Sequence, residues 1–188
     1  MVEKKEITEA LEFDLTLIII EPLLYSKVVE KILSIFVSEK GMSGVYFTSN
    51  QPCNYLMKKL ENNIDLHKVK FVDAVSHLIQ ENLESTNFCT YLKSPRDLTA
   101  ISLEINQQIE AIKSVEGRPK FLIFDSFSTL ALYNEEEIIK KYAHYIANKS
   151  RSWRNTKTVL ISTSDKEKVV AEISQFCDKV LRIKELDY

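Results

Sequence analysis

Apolar runs of strand length recur along this chain, and each stretch between them is long enough to hold a helix. The runs are Asp14–Ile20, Gly44–Ser49, Lys70–Val75, Phe121–Asp125, Thr158–Ser162 and Val180–Lys184. Strands joined by helical crossovers run parallel, because only a long connection returns the chain to the same end of a sheet. A parallel sheet must also be covered on both faces, which explains runs that are apolar throughout rather than alternating. The pattern therefore predicts an α/β fold: a mostly parallel central sheet with helices on both faces.

The crossovers carry helical period. Val28, Val29, Ile32, Leu33 and Phe36 share one face, and Gly41 supplies a left-handed stop. Pro52 opens a second helix to about Asn62, with Tyr55, Leu56 and Leu60 as its buried side. A third begins at Ser94 as cap, with Pro95 in the first turn and Asp97 completing a capping box. It lines up Leu98, Ile101, Ile105, Ile109 and Ile112, and ends at Glu116–Pro119. A fourth spans Glu135 to about Lys149 with Ile138, Ile139, Tyr142 and Ile146 inward. A fifth spans Lys166–Cys177 with Val169, Val170, Ile173 and Phe176 on one side. Residues 76–93 are the least periodic, with a short extended piece at Phe88–Leu92. No linker or repeat divides the chain, so residues 1–188 are expected to form one domain.

Composition narrows the function classes. Lysine and arginine number 25 against 27 acidic residues, a net charge of −2 that offers no field for a polyanion, so nucleic acid is not an expected partner. No apolar run reaches membrane-spanning length, and the first twelve residues carry acidic groups without an apolar stretch. The expectation is a cytoplasmic protein without a membrane partner. Cys53, Cys89 and Cys177 lack metal-ligand spacing and read as small core residues. His67, His77 and His144 form no paired motif.

The loop after the first strand is where a nucleotide-binding α/β protein would carry GxxxxGK[ST]. There, glycines let backbone amides wrap phosphates, lysine reaches the terminal ones and the hydroxyl holds magnesium. In this chain the window is Glu21-Pro22-Leu23-Leu24-Tyr25-Ser26-Lys27-Val28. It keeps the spacing and Lys27 but has neither glycine, and Val28 stands in the hydroxyl position.

Together with Gly44–Thr48, the run Phe121-Leu122-Ile123-Phe124-Asp125-Ser126 and the segment Ser94–Thr99 with its Ile-rich helix, this window resembles the RecA superfamily. Within it the similarity is to the KaiC-like proteins common in archaea, and it spans nearly the whole chain. The resemblance implies a RecA-like P-loop NTPase fold. It makes Asp125 the counterpart of the aspartate that orients magnesium-bound water, and Lys27, Asp125 and Ser126 the relic of a nucleotide site.

Departures from that pattern point away from catalysis. Asn50 and Gln51 occupy the place of the glutamate pair that activates water in KaiC-like ATPases, and an amide cannot take the proton. Glu21 would repel a triphosphate, and Pro22 lacks an amide donor. We therefore assign no catalytic residue and no metal ligand, and expect no cofactor; ATP with magnesium is the disfavoured alternative. Each retained residue also has a plain structural reading: Lys27 as a solvated helix residue, Asp125 and Ser126 as caps of loop amides. Lys149, Arg151, Arg154 and Lys157 around Trp153 read as dipole-complementing cations, with a protein interface or a nucleic-acid contact as the alternatives.

The expectation is a pseudo-ATPase with a regulatory or protein-interaction role, including self-association. The alternatives are a nucleotide or anion sensor, or weak ATPase, using Lys27 and Asp125, and a recombination accessory protein.

Overall fold

The computed structural model describes residues 4–112, 119–163 and 167–185. Seven strands form one sheet: β1 (Leu15–Ile20), β2 (Gly44–Thr48), β3 (Val69–Asp73), β4 (Cys89–Tyr91), β5 (Lys120–Asp125), β6 (Thr156–Thr163) and β7 (Lys179–Ile183). Their spatial order is β4-β3-β2-β5-β6-β1-β7, and every pair is parallel. The three-residue β4 and the more exposed β7 are the two edges.

The helices are α1 (Lys4–Ala10), α2 (Tyr25–Leu33), α3 (Cys53–Leu60), α4 (Leu98–Ala111), α5 (Phe127–Leu130), α6 (Glu136–Ser152) and α7 (Glu167–Ser174). They split cleanly between the two faces. Ile18, Ile20, Tyr46, Phe121 and Ile123 point from the strands into a core closed by α1, α2 and α3. Their sequence neighbours Leu17, Ile19, Val45, Leu122 and Phe124 point into a second core closed by α4 to α7. The period-two alternation of a strand thus builds two apolar layers from runs that are apolar throughout.

Two glycines have defined jobs. Gly41 adopts φ 64°, ending the π-helical stretch Ser34–Glu39 that continues α2. At Gly44 a Cβ would fall 2.3 Å from the Phe121 ring, which is itself stacked on Phe36 at 5.0 Å.

Several expectations need correction. Asp97, not Ser94, caps α4: its carboxylate accepts the Ala100 N–H at 2.9 Å, while Ser94 accepts from Arg96. Both side chains are short acceptors, and the one nearer the apolar repeat wins because its own backbone is not yet helical. Helix α4 ends at Ala111, with Ile112 already extended, so it stops before Glu116–Pro119, most of which lies outside the described residues. Tyr55 and Ile138, expected inward, are 56% and 44% exposed. Each sits at the edge of its apolar stripe, where Leu56 and Ile139 take the core position. Helix α7 is shorter than Lys166–Cys177; Lys166 and the Val169 side chain lie outside the described residues.

No helix among the described residues is long and apolar enough to cross a membrane.

Candidate functional site

In an open parallel sheet the loops after the strands converge at the carboxyl end, where the expected site falls. Strand β2 lies between β3 and β5, and Thr48 at its end pairs with Asp73 on one side and Asp125 on the other. Both aspartates are fully buried.

Asp125 closes β5 on the side of α2 and α3. Its Oδ2 accepts a hydrogen bond from the Tyr46 hydroxyl at 2.5 Å, and its Oδ1 accepts one from the Tyr25 hydroxyl. Burial raises the pKa of Asp125 to about 6, against the pull of the two phenols, which favour the carboxylate. Burial, then the charge on Asp125, pushes both phenols well above the usual tyrosine range.

Tyr25 reaches this position because the Glu21–Val28 window folds as a tight turn rather than an open loop. Pro22–Leu24 make one 3₁₀ turn and α2 starts at Tyr25, whose ring is buried. The amides are spent locally: Leu24 N–H donates to Glu21 O at 2.8 Å, Tyr25 N–H to Pro22 O and Glu21 N–H to Ile183 O at 3.1 Å. Proline favours such a turn, having the right φ and no amide to satisfy.

Ser126 is fully buried beside Asp125, after a cis Asp125–Ser126 peptide bond. It caps α5, accepting the Thr129 N–H at 3.2 Å, and its hydroxyl bonds to those of Ser128 and Thr129. Its amide donates to Ser49 Oγ at 3.2 Å. Lys27 lies elsewhere: it is exposed on the outer face of α2, lining a shallow depression with Lys4, Glu30, Lys31, Ser34 and Glu39. Asp125 and Ser126 are thus neighbours, and the groups that meet the Asp125 carboxylate are Tyr25 and Tyr46.

Asn50 and Gln51 turn the chain after β2. Their amides donate to Thr48 Oγ1, which in turn donates to Gln51 O at 2.7 Å. Two of the basic residues around Trp153, and the indole itself, are engaged within the chain. Arg151 bonds Asp178 at 2.8 Å, Lys157 bonds Asp14 at 2.9 Å, and the Trp153 indole donates to Asn106 at 3.0 Å.

Two participants lay beyond the sequence reading. Tyr46 was readable only as a strand residue, although its alternation with Thr48 places it on the inner face of β2, the face Asp125 shares on β5. Asp73 is the other. Its Oδ2 accepts from Cys53 N–H at 2.7 Å and Ser76 Oγ at 2.6 Å, and its Oδ1 from the Val75 and Ser76 amides, both at 2.8 Å. An aspartate ending an apolar run, with serine three residues on, was its signal.

No family model matches the sequence, and no curated protein matches it. Solved structures do resemble the fold. One is the crystal structure of a KaiC-like protein from the hyperthermophilic archaeon Pyrococcus horikoshii, at TM-score 0.65 and 16% identity over 93% of this chain and 74% of that one. The chain therefore has the α/β fold of a KaiC-like, RecA-type protein, with its seven-stranded sheet wholly parallel.

Proposed function

We propose that this chain is a non-catalytic relative of RecA-type ATPases, working as a regulatory or protein-interaction module. The observation that carries this reading is the Tyr25 phenol seated on the Asp125 carboxylate. A magnesium-bound triphosphate fits these residues poorly. Both Asp125 oxygens already accept from phenols, three amides of the Glu21–Tyr25 turn are bonded within the chain, and Pro22 has none to give. An anion there would need free amides and a metal would need free carboxylate oxygens. Asn50, which turns the chain after β2, contributes no base.

What such a fold keeps once phosphate chemistry is lost is its surface. Self-association or a protein partner suits the exposed aliphatic groups Leu23, Ile79, Leu103 and Leu132. Purified protein should release no phosphate from magnesium-ATP above a mock purification. Magnesium-dependent hydrolysis that Lys27→Ala abolishes would overturn the reading.

A second reading, an anion or nucleotide sensor, draws on Lys27, which stands with Lys4 and Lys31 around the depression on α2. It predicts a rise in melting temperature with some member of a nucleotide panel. A flat response at millimolar concentrations removes it.

A further inference from the structure

The basic residues where α6 runs into β6 line a cavity that shares no residue with the strand-end site or with the depression on α2. It lies at the amino end of the sheet. Thr156, which opens β6, pairs with Lys120 at the far end of β5 from Asp125, and Asp14 leads into the adjacent β1. The cavity holds about 230 Å³. Its charge is one-sided: Arg151, Arg154 and Lys157 line it against a single carboxylate, Asp14.

Those cations are not used up by the fold. Arg151 spends one nitrogen, Nη2, on both Phe176 O and Asp178 Oδ1, each at 2.8 Å, and its other nitrogens bond nothing among the described residues. The Arg154 guanidinium has no hydrogen bond or ion pair among the described residues at all. Lys157 holds Asp14 at 2.9 Å, but the lysine side chain is 22% exposed and that of Asp14 72%. The carboxylate is therefore the partner that an incoming anion can displace into water.

We propose that this cavity binds a phosphate group, carried by inorganic phosphate or by a small phosphomonoester. Its volume is below the roughly 300 Å³ at which pockets for drug-sized molecules begin, so the ligand is small. Two guanidinium groups and an ammonium suit an anion with several oxygens and a double charge, whereas one guanidinium fork already satisfies a carboxylate. The carboxyl end of α6 lies beside the cavity and repels anions, but that macrodipole is worth roughly half a charge against three full ones. The Trp153 ring, also in the lining, offers an apolar wall to the carbon skeleton of an ester.

The test is titration of the full chain with inorganic phosphate at constant ionic strength, with chloride as the balancing salt. Melting temperature should rise and saturate, and calorimetry should report one site. Arg154→Gln removes a charge that braces nothing in the fold and should weaken binding by at least about 10-fold. Asp14→Asn, which removes the competing carboxylate from Lys157, should tighten it. Glu61→Gln, the same change of charge on the surface after α3, should leave it unaltered. Glycerol 3-phosphate in place of phosphate separates the two sources: tighter binding assigns the site to an ester, weaker binding to the free ion. No saturable response at millimolar phosphate, or equal binding by Arg154→Gln, overturns the proposal. So does binding that Lys27→Ala abolishes and Arg154→Gln does not, since the anion then sits on α2.

Discussion

Asp73 and Asp125 stand at the ends of strands on either side of β2, both fully buried, yet they are held in opposite ways. Asp73 accepts from three backbone amides and a serine hydroxyl, so its charge is built into the turn after β3 and the start of α3. Asp125 has only side-chain donors, two phenols that arrive from α2 and β2. Backbone amides come with the fold and cannot be withdrawn without remaking it. Side-chain donors are contributed residue by residue, and each can be removed alone. The first aspartate is therefore a fastener of the chain, whereas the second is held by side chains that substitution can remove one at a time.

Asp73→Ala should break the comparison most severely. It strands several buried donors at once, and a loss on the order of 4 kcal/mol is expected in urea unfolding. Next comes pH. The pKa of Asp125 is raised in the folded state from 3.8 to about 6, so between those values the native protein holds the proton more tightly than the unfolded chain. Its contribution is greatest below about pH 4 and declines as pH rises through 6, by on the order of 3 kcal/mol. Stability of the wild type relative to Asp125→Asn should follow that slope; a flat difference from pH 4 to 7 would show that the carboxylate is not as isolated as its burial implies.

Removing one phenol hydroxyl is a smaller change. Tyr46→Phe should cost about 2 kcal/mol at pH 7, the worth of a hydrogen bond to a charged group, and should raise the Asp125 pKa further. Carbon-13 NMR of the carboxyl group reads that directly.

Much of the fold was legible because it rests on periodicity. The six runs all became strands, and Ile101, Ile105 and Ile109 are buried in α4 as their spacing requires. The short β4 sat inside the expected extended piece at 88–92. Helix ends were harder, since Ser94 and Asp97 are both competent caps and only the backbone chooses. Edges of apolar stripes were harder still, as Tyr55 and Ile138 show. At the site, the sequence showed that Glu21–Val28 has no glycine and that Asn50 and Gln51 are amides. It did not reveal the contact from Tyr25 to Asp125, which joins residues 100 positions apart. No local pattern encodes such a pairing; it follows from the packing of α2 over the face of the sheet on which Asp125 ends β5.

The two edges of the sheet bear on how this chain could assemble. An unpaired strand is a template on which another chain can add its own backbone. Here β4 offers only three residues, and β7 carries Lys179 and Arg182 among its five. Such short or charged margins discourage extension of the sheet from one molecule to the next. Any oligomer should therefore join through side chains on helices and loops, leaving the amide infrared signature of the β-sheet unchanged on association.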